Sequence, residues 1–280
     1  MELMSETRRM CPNCRAFVTT RDRVCPYCEV KLGPRAVDRR DATALVGGFI
    51  PHARFVTTVI LLINFGLFAA TVLLSMRRGN AGALMGLDGQ TLADFGAKWN
   101  TALAAGQWWR LITAGFLHGG LIHILMNSWV LFDLGAMVEE VYGWARLIVI
   151  YLAATVAGFY ASAWWSPSIS VGASAGLFGL IGAMIALTLR SSSPVAMAYR
   201  GLYIRWAIYG LVIGVLPGLA IDNAAHLGGL AGGFAMGYLA GTPRLVENSL
   251  PERLWRAAAY MCVGIAAIAF LNMYLWLSRG

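Results

Sequence analysis

The chain has 280 residues, of which 58% are hydrophobic and only 13% charged, and its mean hydropathy is +0.63. An ordinary soluble domain carries roughly a quarter charged residues, so this composition excludes a water-soluble protein and points to a chain that spans a membrane several times. The formal charge of +8 would suit a nucleic-acid partner only if the basic residues gathered on one polar surface.

Residues 1–54 hold ten basic and six acidic residues and four of the five cysteines, with no apolar stretch suited to a signal-peptide core. Cys11-Pro-Asn-Cys14 and Cys25-Pro-Tyr-Cys28 are two CxxC pairs separated by ten residues. Four thiolates in this pattern can meet one tetrahedral Zn²⁺. A redox pair or two disulfides would be the alternatives, and a reducing cytosol disfavours both. So small a module has too little core to fold without help, which the metal would supply. The expectation is a zinc-ribbon-like module over 1–34 with one structural Zn²⁺, then a basic linker over 35–54. Nothing in the sequence names a partner for the module. Cys262, alone in the last apolar run, reads as a small packed residue.

From Phe55 onward, apolar runs long enough to cross roughly 30 Å of hydrocarbon recur. They fall at about 55–75, 120–140, 146–165, 172–189, 203–219, 222–240 and 256–277, which predicts seven helices and an all-α polytopic membrane protein. Between the first and second lies an amphipathic loop of about 44 residues, whose Trp99, Trp108 and Trp109 suggest contact with the lipid interface. Basic residues favour the cytoplasmic side. With the N-terminus inside, seventeen of the 22 Lys and Arg fall inside and five outside. The expected orientation is therefore N-terminus cytoplasmic and C-terminus outside, in the plasma membrane. The charge of +8 becomes a mark of topology and of attraction to anionic lipid, leaving no role for nucleic acid.

Polar residues within spanning helices are costly and are functional candidates by default. Here they are few. The second run opens with His118 and continues His123-Ile-Leu-Met-Asn127; the fourth opens Val171-Gly172-Ala173-Ser174; the sixth opens Asp222-Asn223-Ala-Ala-His226. All three groups fall near the outer ends of their helices. His123 and Asn127, four apart, share a helix face. A serine, a histidine to take its proton and further donors for an oxyanion are the components of a serine hydrolase. Each residue also has a plainer reading. Ser174 lies in a small-residue seam with Gly172, Gly176, Gly179 and Gly182, and His226 heads a GxxxG run from Gly229 to Gly241. A metal site from His118, His123 and His226 lacks any HExxH or carboxylate-rich context.

Taken in order, these segments resemble the rhomboid intramembrane serine proteases over about residues 55–278. Trp109-Arg110 looks like the family's Trp-Arg pair, and His123 to Asn127 like its HxxxN motif. Gly135 to Gly143 with Glu139 is similar to GxxxExxxG, Gly172-Ala-Ser174-Ala175 to the nucleophile motif, and Ala224-Ala225-His226-Leu227-Gly228-Gly229 to the base motif. Ala175 replaces the commoner glycine of that nucleophile motif, and Phe178 stands where an aromatic often packs on the base. The resemblance implies a rhomboid-like bundle of six plus one helices over 55–280 with the zinc tail as an accessory. It implies peptide-bond hydrolysis by Ser174 and His226, with His123, Asn127 and the Ser174 N–H as oxyanion donors. Gly172, Phe178, His118, Trp109, Arg110 and Glu139 would support that site. No cofactor is expected for catalysis; Asp222 is a weak candidate to orient the base. Substrates would be membrane proteins cut near the outer face. An inactive rhomboid-like protein that binds membrane clients is the alternative.

Overall fold

The computed structural model describes residues 8–11, 13–14, 16–19, 22–32, 55–216, 221–241 and 249–279. The predicted linker at 35–54 and the last residues of the fifth predicted run, 217–219, lie outside the described residues. The chain separates between Phe49 and Ile50 into two units.

In the first unit, β1 (Arg8–Met10) pairs antiparallel with β2 (Phe17–Thr19), Met10 opposite Phe17. Cys11, Val18, Cys25 and Leu32 form its small buried core.

The second unit is helical. α1 (Phe55–Arg77) is a nearly continuous apolar run that ends just before Gly79, whose φ of +95° a side chain would resist. The long loop that follows folds into α2 (Gly89–Asp94), α3 (Asn100–Ala104) and α4 (Arg110–Thr113). Asp88 caps α2 by accepting the Thr91 N–H. The second predicted helix is interrupted: α5 (Leu121–Val130) passes through a π turn at Leu131–Gly135 into α6 (Ala136–Tyr142). Then come α7 (Trp144–Trp165), α8 (Ser174–Thr188), α9 (Pro194–Ile213), α10 (Asn223–Ala240) and α11 (Leu250–Leu277).

These helices match the predicted runs with shifted ends. α9 begins nine residues before its predicted start, because Ser193 accepts the Ala196 N–H and Pro194 occupies the first turn. Arg200, three residues before the predicted start, hid the observed one from a hydropathy reading. Among the described residues, four segments are long and apolar enough to cross a membrane: Phe55–Arg77, Leu121–Tyr142, Trp144–Trp165 and Leu250–Leu277. α8, at 15 residues, is shorter, and α9 and α10 do not meet both conditions. The protein is a multi-pass membrane protein.

α8 is the centre of the bundle, with all but three of its residues buried. It packs against α10 closely enough that a Cβ on Gly233 would strike the Gly179 backbone and one on Gly229 the Ala175 backbone. Such backbone contact is what small-residue seams permit in lipid, where apolar burial alone drives little association. Glu139 secures the opposite end of the bundle. Its carboxylate accepts from the Val56 and Thr57 N–H groups at 3.1 and 2.9 Å and from the Thr57 hydroxyl at 2.9 Å, satisfying donors at the start of α1. Arg146 of α7 forms a two-point ion pair with Glu252 of α11 at 2.9 and 2.6 Å and stacks over Trp255.

Candidate active site

Ser174 is the first residue of α8, and the segment before it is held from three directions. Gly172 N–H donates to the Ala114 carbonyl at 2.9 Å. Lys98 and Ser170 exchange backbone hydrogen bonds at 3.0 and 3.1 Å. The fully buried Lys98 ammonium donates to the Ser166 and Ser168 carbonyls at 2.6 and 2.9 Å, and burial pushes its pKa below the ordinary lysine value. Lys98 was not predicted as a site residue. A lone lysine in an uncharged stretch was its only sequence signal, and its partners lie about seventy residues away.

His123 comes from the first turn of α5. Its Nδ1 accepts the Gly119 N–H at 3.4 Å, which leaves the proton of the neutral ring on Nε2. That nitrogen faces the nucleophile segment: a Cβ on Gly172 would stand 2.8 Å from His123 Nε2 and 3.3 Å from Ser174 Oγ. Gly172 also has a φ of +139°, so backbone conformation and space both require glycine. The backbone at Gly172 is thus flanked closely by a hydroxyl and a ring N–H. Asn127, one turn beyond His123, is buried, and its amide nitrogen has no hydrogen-bond partner among the described residues. His118 precedes α5 rather than opening it. It is fully buried and sets its ring edge against His123, with centroids 5.2 Å apart.

His226 lies in the first turn of α10, beside the head of α8. Gly158 of α7 is the common neighbour; a Cβ there would meet both the Ala225 carbonyl and the Ala175 side chain. Phe178, one turn after Ser174, stacks on the His226 ring at 4.1 Å with 13° between planes. Asp222 is not an orienter of the base. It caps α10 by accepting the Ala225 N–H at 3.0 Å and also accepts the Ser162 hydroxyl, while His226 Nδ1 has no partner among the described residues.

The Trp-Arg pair is structural and internal. Trp109 is 5% exposed, so it is packed within the protein and not in the lipid interface; Trp99 and Trp108 remain exposed. Arg110, fully buried, donates to the Ala93 and Ala97 carbonyls at 2.6 and 3.0 Å and to the Gln107 amide oxygen at 2.7 Å. The pair thereby fixes the loop that carries Ala114 toward Gly172.

In the first unit, the sulfurs of Cys11, Cys14, Cys25 and Cys28 lie within 4.8 Å of one another. Cys11 and Cys28 are 3.6 Å apart, and Cys14 and Cys25 3.7 Å. A tetrahedron of thiolates at a Zn–S distance of about 2.3 Å has edges of about 3.8 Å, so the four residues fit that ion. The backbone N–H of Cys14 lowers the pKa of the Cys11 thiol, and that of Val30 brings Cys28 down to about 6.

Fold and site together define a class: helical membrane proteins with a serine heading one core helix and a histidine heading its neighbour. A model of the Rhomboid domain matches residues 105–243. RHOMBOID-like protein 5 of Arabidopsis thaliana is 30% identical over 217 residues, covering 68% of this chain and 69% of that protein. The chain belongs to the rhomboid family. Rhomboid protease GluP of Bacillus subtilis (strain 168) is 38% identical over 188 residues, 65% of this chain and 35% of that protein. RHOMBOID-like protein 6, mitochondrial, of Arabidopsis thaliana is 38% identical over 161 residues, with 55% and 51% covered. The chain therefore spans about a third of the first of these two and half of the second.

Proposed function

We propose that this protein is an intramembrane serine endopeptidase that cleaves membrane-protein substrates near the outer face. The observation that carries the reading is the close approach at Gly172, where a Cβ would lie 3.3 Å from Ser174 Oγ and 2.8 Å from His123 Nε2, which brings the hydroxyl and the ring N–H to one point of the backbone. In the proposed reaction Ser174 Oγ attacks the scissile carbonyl carbon while His226 takes the hydroxyl proton, then returns it to the leaving amine. The negative charge that develops on the carbonyl oxygen meets His123 Nε2–H, the Asn127 amide and the Ser174 N–H at the head of α8. Phe178 holds the His226 ring by stacking, and Asp222 is committed to its cap, so the reading uses a dyad without an acid. No metal takes part in this chemistry.

The proposed topology has seven spans, the N-terminal unit in the cytoplasm, the C-terminus outside and the plasma membrane as location. The distribution of basic residues and the shared position of Ser174, His123 and His226 at one end of the bundle support it. In the tail, Cys11, Cys14, Cys25 and Cys28 would hold one structural Zn²⁺, which supplies folding energy to a module with a core of four residues.

The test is cleavage of a reporter membrane helix by purified protein. Ser174→Ala and His226→Ala are each expected to abolish cleavage while the melting temperature stays within about 2 °C of the parent. Undiminished cleavage by Ser174→Ala would falsify the assignment. Binding of the reporter without cleavage by the parent protein would favour the inactive client-binding alternative.

A further inference from the structure

Two charges at membrane depth are left over by the chemistry above. One of them, Arg205, counted with the cytoplasmic side in the sequence, lies eleven residues into α9, so sixteen of the 22 Lys and Arg mark that side. Asp133 lies on the π turn of the α5–α6 span, twelve residues from its start, or about 18 Å along an axis that crosses roughly 30 Å of hydrocarbon. Its side chain is exposed, and it has no hydrogen bond or ion pair among the described residues. Arg205 of α9 is exposed and equally without an ion pair among the described residues. Neither faces the bundle interior, where such groups in membrane proteins usually find partners.

The two stand at nearly one depth. The Tyr203 hydroxyl donates to Met137 Sδ at 2.8 Å, which sets those residues level. α5–α6 runs away from the Ser174 end of the bundle. α9 runs toward it, since Gly210 lies against Phe178. Asp133 is one turn from Met137 in the direction of Ser174, and Arg205 is two residues from Tyr203 in the same direction. Their levels differ by about 3 Å, well within an arginine's reach.

Their surroundings are complementary in shape. Asp133 opens on a groove of about 720 Å³ between α1 and α5, walled by Leu61, Phe65, Leu125 and Trp129. Ser128, on the same groove, is 9% exposed, and its hydroxyl oxygen is buried without a partner among the described residues. The π turn brings both polar groups onto the groove although they are five residues apart, and such widened turns recur at functional positions. Arg205 stands in a ridge of exposed apolar side chains at helical spacing, Ile204, Ile208, Tyr209 and Val212. A lipid tail could fill the groove but could not offer a cation there, and aspartate is too short to reach the headgroups.

We propose that a second copy of this chain docks here, its α9 ridge entering the α1–α5 groove so that Arg205 of one copy pairs with Asp133 of the other. In the proposed assembly a two-fold axis along the membrane normal forms the contact twice, which the equal depth of groove and ridge permits, and closes it at a dimer.

Two measurements test this in lipid vesicles. Fluorescently tagged copies at low density are counted by stepwise photobleaching: the parent shows two steps, Asp133→Arg and Arg205→Asp each show loss of the dimer, and the two changes combined in one chain restore it. Separately, Asp133→Cys and Arg205→Cys copies with different tags are co-expressed and oxidised. A disulfide joining the two tags, absent when either cysteine is present alone, is expected even if a charge-reversed variant fails to fold. A monomeric parent would overturn the proposal and leave the groove to a spanning helix of another protein. Dimers in both reversals, or no joint disulfide, would overturn it equally.

Discussion

At the scale of single residues, the site depends on which proton each donor presents. His123 accepts from Gly119 on one nitrogen and so turns the other toward Gly172; Asn127 has an amide nitrogen without a partner among the described residues. His123→Ala and Asn127→Ala are each expected to lower kcat about 10²–10³-fold with little change in KM, as read in steady-state cleavage of the reporter, because each donor acts on charge that develops only in the transition state. A loss confined to KM would contradict that role. These residues stood out as candidates in the sequence because polar side chains are so scarce in the apolar runs. Lys98 was not legible, since its partners are the Ser166 and Ser168 carbonyls, and backbone acceptors leave no mark in a sequence. The long loop carries a pH-sensitive residue as well. Hydrogen bonds from the Ser75 hydroxyl and the Thr91 N–H, each 2.7 Å, hold Asp88 at a pKa of about 2. A folded value below the unfolded one means that the stabilisation is complete above about pH 4 and is lost as pH falls toward 2. Thermal unfolding in detergent across that range is expected to show this loss, and Asp88→Asn to flatten it; an unchanged slope would contradict the account.

At the scale of elements, α8 and α10 place Ser174 and His226 in the first turns of two closely packed helices. Gly229 and Gly233 let the backbones touch, and the same glycines, read in sequence, already marked a seam. Gly233→Leu is expected to cost about 1–3 kcal/mol in reversible unfolding and to reduce activity, because the side chain must displace the Gly179 backbone. A variant with parental stability would mean that the helices are free to separate. Helix existence followed from apolar runs, but helix ends did not. The Ser193 cap moved the start of α9, and the π turn inside the second span has no periodic signature, because a single wide turn shifts the register only once. Trp109 was misplaced for a related reason. An amphipathic ring suits both an interface and a core, and only the packing of Arg110 over it, 4.7 Å away, decides for the core.

At the scale of the whole molecule, the sparse charges divide into those that mark sides of a membrane, those that hold helices together and the pair at Asp133 and Arg205. Glu139 and Arg146 belong to the second group, which the positive-inside count alone could not separate from the first. The tail stands apart as its own unit. Native mass spectrometry is expected to find one zinc per chain, lost in Cys11→Ser/Cys14→Ser; a metal-free parent would remove the zinc reading while leaving the bundle's chemistry untouched. The central claim is that Ser174 is an activated nucleophile. Its most direct test is labelling of the purified, folded protein with a fluorophosphonate, followed by mass spectrometry of the peptide that contains Ser174. The account predicts one adduct on Ser174, absent in Ser174→Ala and strongly reduced in His226→Ala; no adduct on the folded parent, or equal labelling in His226→Ala, would contradict it.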